Sequence, residues 1–199
     1  MAKKRLFYLD TNALFPLVSV TAASDWLKEI RDGVDNFLVV SELAQLEFDS
    51  VIEDGHRNGG ITADRVAEMR ANLADLVERE RTITRLHVTA HYQRARELIV
   101  SNPGMKAPDA LHLALALDYA DTPETAALVS GDRELLEAAS AYRHQMRLLD
   151  VHGCRCPKCG KMVRLQNTGV DRRARCTGCG HRCDPCKPAE CEKYADRQP

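Results

Sequence analysis

Short apolar runs that stop at cap or turn residues punctuate the first 150 residues of the chain. Leu6-Phe7-Tyr8-Leu9 leads into Asp10-Thr11-Asn12, the pattern of a buried strand feeding a helix, and helical spacing continues to about Asp32. Phe37-Leu38-Val39-Val40 repeats the arrangement, with Ser41 as the N-cap of a helix running to about His56. After Gly59-Gly60, the pattern predicts a helix from about Thr62 to Glu80, a strand from Thr82 to Val88 and a helix from Thr89 to Val100. Asn102-Pro103-Gly104 is a turn, and the segment from Asp109 to Leu117 is apolar nearly all round, which suits a helix buried on more than one side. Ala126 to Val129 is a strand stopping at Ser130-Gly131-Asp132, a helix follows to about Tyr142, and Met146 to Val151 forms a last strand. Strands alternating with helices predict an α/β domain with a mostly parallel sheet.

Composition divides the chain at Asp150. Residues 1–150 hold 17 basic and 24 acidic side chains, a balance of −7, while residues 151–199 hold 11 and 5, a balance of +6. All 8 cysteines lie between Cys154 and Cys191. The expected organisation is therefore an acidic α/β body over 1–150 and a basic, cysteine-rich unit over 151–199, too small to bury much apolar surface without a staple. Neither a secretory signal nor an apolar run of membrane-spanning length is read from the sequence, so the expected location is the cytoplasm with no membrane partner. Thiols stay reduced there, and clustered cysteines hold metal rather than disulfides.

Four acids stand out. Asp10, Asp109 and Asp132 each lie at or near the start of a helix, Asp10 and Asp132 directly after a strand, where open α/β sheets bind ligands. Each is also a natural helix cap or a complement to the helix dipole. Glu47 is harder to explain that way: spaced four residues from both Leu43 and Val51, it is expected to share their apolar stripe and point toward the sheet, with no obvious lysine or arginine to pair it. Glu42, the competing acid, is explained by the helix dipole alone. His112, three residues after Asp109, can reach the same place and is read as a hydrogen-bonded structural residue. Oxygen ligands of this kind suit Mg²⁺ or Mn²⁺, which would activate water for attack on phosphorus without a histidine base.

These residues resemble the PIN domain ribonucleases. The match runs in order through Leu9-Asp10-Thr11-Asn12, Ser41 followed six residues later by Glu47, Pro108-Asp109-Ala110-Leu111-His112-Leu113-Ala114, and Val129-Ser130-Gly131-Asp132. The resemblance implies a three-layer α/β/α domain over about residues 5–150 whose acids, Asp10, Glu47, Asp109 and Asp132, bind Mg²⁺ or Mn²⁺ and hydrolyse single-stranded RNA, with Asn12 and Ser130 supporting them. Gly131 stands where many toxin-type members carry a basic residue. A toxin-type ribonuclease acting on tRNA or mRNA, and a non-catalytic RNA- or protein-binding module, are the alternatives to a processing enzyme; the presence of all four acids speaks against the module.

In the tail, Cys156-x-x-Cys159 and Cys176-x-x-Cys179, separated by 16 residues and each followed by glycine, supply four soft ligands for tetrahedral Zn²⁺ and resemble a zinc ribbon. Cys183, Cys186 and Cys191, with Cys154 or His181, could complete a second zinc site. Lys161, Arg164, Arg172, Arg173 and Arg175 are expected to project from a hairpin between the two pairs and to contact RNA phosphates. Tyr194 is the tail's one aromatic residue, so backbone and shape readout is expected there rather than stacking. A PIN domain followed by a zinc ribbon is similar to endonucleases that trim small-subunit rRNA precursors, which implies rRNA or another structured RNA as substrate; ribosome association and a homodimer both fit this reading.

Overall fold

The computed structural model describes residues 4–19, 25–151, 153–155, 162–164, 174–175 and 182–183. Five strands form one all-parallel sheet: β1 (Arg5–Leu9), β2 (Asn36–Ser41), β3 (Thr82–Arg85), β4 (Ala126–Ser130) and β5 (Arg147–Asp150), in the spatial order β3-β2-β1-β4-β5. Between them run α1 (Thr11–Val18), α2 (Asp25–Asp32), α3 (Glu42–Arg57), α4 (Ala63–Val77), α5 (Thr89–Ser101), α6 (Ala107–Ala116) and α7 (Arg133–Ala138), the last continued by a 3-10 turn to Tyr142. The expected α/β architecture is thus observed, and strand alternation divides the core as the period of two requires. Phe7, Leu9, Leu38, Val40, Ala127 and Val129 pack against α1 to α4 on one face. Tyr8, Val39, Ala126 and Leu128 meet α5, α6 and α7 on the other.

Two predicted boundaries shift for physical reasons. The helical stretch expected to run to Asp32 is two helices, α1 ending at Val18 and α2 starting at Asp25. The third strand stops at Arg85 instead of Val88, because β3 is an edge strand paired only with β2, and β2 itself ends opposite Arg85 at Ser41. The turn after α5 contains Gly104 at φ 94°, a conformation that favours glycine. Packing of the body reaches Val151, which is buried and donates its amide to the Ser130 carbonyl at 2.9 Å.

Beyond the body, β6 (Gly153–Arg155) pairs antiparallel with β7 (Met162–Arg164), and β8 (Ala174–Arg175) with β9 (Arg182–Cys183). A described hairpin flanks each C-x-x-C pair in the sequence, while the hairpin expected between the two pairs falls on residues 165–173, outside the described residues. Cys156, Cys159, Cys176 and Cys179 lie outside the described residues, as do Cys186, Cys191, His181, Lys161, Arg172 and Arg173. Cys154, Arg164, Arg175 and Cys183 are placed in the strands by their backbone.

Candidate active site

The strand order reverses at β1: the chain moves from it to β2 and β3 on one side, and β4 and β5 occupy the other. At such a reversal the connections leave in opposite directions and open a crevice beyond the carboxyl ends of the strands. Asp10 follows β1 directly, Ser130 ends β4, and the Asp10 amide donates to the Val129 carbonyl at 3.2 Å.

Asp10 is 2% exposed. Its Oδ1 accepts the Ala13 amide at 2.9 Å as the N-cap of α1, its Oδ2 accepts the Ser130 hydroxyl, and Asn12 also hydrogen-bonds to it. Burial nevertheless dominates and pushes the carboxyl up to about 6, against the lowering effect of those bonds and of His112. Asp132 is the N-cap of α7: its Oδ1 accepts the amides of Glu134 at 2.7 Å and Leu135 at 3.0 Å, while its own amide donates to Ser130 Oγ at 2.8 Å. Ser130 therefore ties the two aspartates together through one hydroxyl.

Glu47 approaches from α3. Val51 is 49% exposed, and the buried stripe of this helix is Ala44, Phe48 and Ile52, so Glu47 flanks the stripe rather than belonging to it. Its partner is neither lysine nor arginine but His112, whose Nε2 lies 2.9 Å from Glu47 Oε2, with the Thr11 hydroxyl donating to the same oxygen. Burial alone would raise this carboxyl, but the bonds from His112 and Thr11 and the nearby histidine charge bring it below its ordinary range. His112 is itself 2% exposed, and its Nδ1 lies 2.7 Å from the Tyr8 hydroxyl, which sits 3.3 Å from that of Ser41, the N-cap of α3. Its two ring nitrogens thus face the Glu47 carboxylate and the Tyr8 hydroxyl. Both ring nitrogens are thereby engaged, as the structural reading of His112 requires. Burial also drives the Tyr8 phenol upward, keeping it a neutral donor.

Asp109 differs from the other three. It lies in the first turn of α6, where no side chain caps the helix, and its Oδ2 is buried without a hydrogen-bond partner. Burial raises its carboxyl, and the charges of Asp132 and then Glu47 raise it further, against His112 and Lys106. Asp109 is thus close enough to Asp132 and Glu47 to feel their charge, yet among the described residues no three His, Cys, Asp or Glu side chains stand together as a ready-made metal group. Like charges held apart around an orphaned carboxylate oxygen form an all-oxygen donor set, and no hydrogen bond among the described residues reaches Glu47 Oε1 or Asp132 Oδ2. Such a set fits a hard divalent cation.

A parallel sheet with acidic side chains at its reversal point is an α/β architecture suited to binding a ligand or metal beyond the carboxyl ends of its strands. The chain belongs to the PIN domain family, which matches residues 7–141, and PIN domains are typically metal-dependent nucleases that use Mg²⁺ or Mn²⁺. The fold is similar to that of PAE2754 from Pyrobaculum aerophilum, with 19% identity, a TM-score of 0.52 and coverage of 74% of this chain and 84% of that one. VapBC2 from Rickettsia felis, solved bound to a DNA fragment from its promoter, aligns at 12% identity with a TM-score of 0.48, over 73% of this chain and 98% of that one. No curated protein matches the chain. No helix among the described residues is long and apolar enough to cross a membrane.

Sequence reasoning placed His112 near the acids but missed its pairing with Glu47 and the part played by Tyr8. The available signal was strand alternation: Tyr8 points away from the Phe7 and Leu9 face, toward α6. His112→Ala is expected to remove the nearer partner of the buried Tyr8 hydroxyl, leaving it only Ser41, and to release Glu47, costing about 2–3 kcal/mol, or roughly 4–10 °C in thermal midpoint, with a large loss of cleavage. His112→Gln, whose amide can still donate to Glu47, should recover more of both in parallel melting and cleavage assays.

Proposed function

We propose that the chain is a metal-dependent endoribonuclease, with Asp10, Glu47, Asp109 and Asp132 as its catalytic acids and the cysteine-rich tail as a zinc-stabilised RNA-binding arm. The observation that carries the reading is Asp109 Oδ2, a buried carboxylate oxygen left without a partner among acids of like charge. Asp10, Glu47, Asp109 and Asp132 would hold Mg²⁺ or Mn²⁺, which would supply an activated water for attack on phosphorus and offset charge on the leaving oxygen. The protein's own part is to hold the oxygens in place. Ser130, Ala13 and Asn12 fix Asp10, His112 and Thr11 fix Glu47, and the α7 amides fix Asp132. With both nitrogens engaged, His112 does not serve as the base.

End-labelled RNA tests this directly: internal cuts should require Mn²⁺ or Mg²⁺, stop with chelator and be lost in Asp109→Asn. Binding without cutting under any divalent cation would make the chain a binding module. Cross-linking in cells with Asp109→Asn, followed by sequencing of the bound RNA, identifies the substrate; rRNA or ribosome-associated RNA is the expected class.

For the tail, Cys156, Cys159, Cys176 and Cys179 are the zinc ligands of choice, being the two C-x-x-C pairs that the described hairpins enclose. The purified chain should carry at least one Zn²⁺, and Cys156→Ser should release it and unfold the tail. A content near two would assign Cys183, Cys186, Cys191 and Cys154 to a second ion, whereas zinc-free protein with disulfides after reducing purification would remove the assignment. Arg164 and Arg175, with Lys161, Arg172 and Arg173, are the phosphate-contacting candidates, in a segment whose balance of +6 opposes the −7 of the body.

A further inference from the structure

A second unusual surface borders the acids at the carboxyl edge of the sheet. Arg85 ends β3 in register with Ser41, so residues 86–88 leave the sheet beside the strand end that launches α3 and Glu47. In this connection Leu86 is 62% exposed and Val88 54%, and Tyr92 in the start of α5 is 51% exposed. Single exposed apolar residues are ordinary; a cluster beside a reactive cleft is not.

His87 joins the cluster to the cleft. Its Nε2 donates to the Leu111 carbonyl at 3.3 Å, between Asp109 and His112 on α6, and it lies near enough to feel the charges of Glu47 and His112. Its ring meets those of His91 and Tyr92 edge-on, with centroids at 5.7 Å and 6.4 Å. The rings of His87 and Tyr92 thus make a step that begins beside the Glu47–His112 pair and runs outward along α5, past Asp118, whose carboxylate is held by His91 and Arg94. Cations flank it. Arg96, one turn beyond Tyr92, forms no ion pair among the described residues, and Arg85 has no carboxylate partner there, its guanidinium donating instead to the Tyr119 hydroxyl at 2.5 Å. Arg94, between Tyr92 and Arg96 on the same helix, is instead paired with Asp118.

From this juxtaposition we infer that the β3–α5 connection is a base-stacking shelf for single-stranded RNA. An unpaired base next to the scissile phosphate stacks on Tyr92, with His87 at its inner edge, and Arg85 and Arg96 meet the flanking phosphates. Aromatic faces accept any base, so the shelf selects unpaired RNA rather than a sequence. The inference rests on the ribonuclease reading and supplies the stacking surface that the tail lacks.

The test uses the full chain and short RNAs in which a single abasic site is moved through successive positions. Tyr92→Ala should weaken binding of unpaired RNA about tenfold, raising KM with kcat within about twofold, and Tyr92→Trp should restore it. One abasic position should weaken wild-type binding by a similar factor and leave Tyr92→Ala indifferent to that site. Melting curves of the variants confirm that this exposed substitution spares the fold. Fluorescence anisotropy in chelator reads the shelf even if no RNA is cut, so failure of the ribonuclease reading and failure of the shelf are separable. Wild-type affinity in Tyr92→Ala, or abasic and Tyr92→Ala effects that simply add, would overturn the shelf. Unchanged affinity with an altered oligomeric state would also overturn it and assign the face to a second copy of the chain.

Discussion

Asp10→Asn should abolish cleavage while leaving the metal-free protein at least as stable as the wild type at pH 7. Asparagine is as good an N-cap as aspartate, so α1 keeps its first-turn bond to Ala13. What disappears is a buried negative charge. Burial pushes the Asp10 carboxyl from 3.8 to about 6, which bounds the cost of ionising it in the folded state at about 3 kcal/mol. Loss of the charge-assisted bond from Ser130 offsets part of this, leaving an expected gain of about 0–2 kcal/mol, or up to several degrees in midpoint. Because the folded protein binds this proton more tightly than the unfolded chain, metal-free wild type should lose stability as pH rises from about 4 through about 6, and the variant should lack that component. Mn²⁺ favours the ionised form and should raise the wild-type midpoint much more than that of the variant. Cleavage should fall by about a thousandfold or more, roughly 4 kcal/mol of transition-state stabilisation. A variant that melts well below wild type in chelator at pH 7 would show that Asp10 serves mainly as a cap.

Removing the tail after Val151 should separate cutting from gripping. All four acids remain, so a short unstructured RNA should still be cut in Mn²⁺ within roughly tenfold of the full-length rate. Binding to long structured RNA should weaken far more. If the tail contacts about three to five phosphates, the slope of log affinity against log salt should flatten by about two to five units. Alanine at Arg172, Arg173 and Arg175 together should reproduce part of that change with zinc retained, and an unchanged slope would make the tail a protein-docking element instead. The cut must follow Val151: ending at Asp150 deletes a buried side chain and the amide bonded to the Ser130 carbonyl, costing about 2–3 kcal/mol beside the hydroxyl that holds Asp10.

The body was legible where local pattern and burial coincide. Phe7 to Leu9 and Ala126 to Val129 are apolar on both faces because their strands are covered on both sides, and Ser41 caps α3 where the sequence placed it. Asp10 and Asp132 serve as helix caps at the carboxyl end of the sheet, and the Ser130 hydroxyl links the two. The Glu47 partner was hidden because His112 lies 65 residues away, and only packing of α3 and α6 on opposite sides of the sheet edge brings them together. Strand order carries no local signature at all.

The central position of β1 also governs when the molecule can first act. It pairs with β2, made soon after it, and with β4, which follows more than a hundred residues later. A nascent chain that has emerged only as far as α5 carries Asp10 and Glu47, but it lacks Asp109, Asp132 and the Ser130 hydroxyl that holds Asp10. Such long-range strand pairing forms late. The four acids are therefore brought to one end of the sheet only after its second half, β4 and β5, has closed against the first.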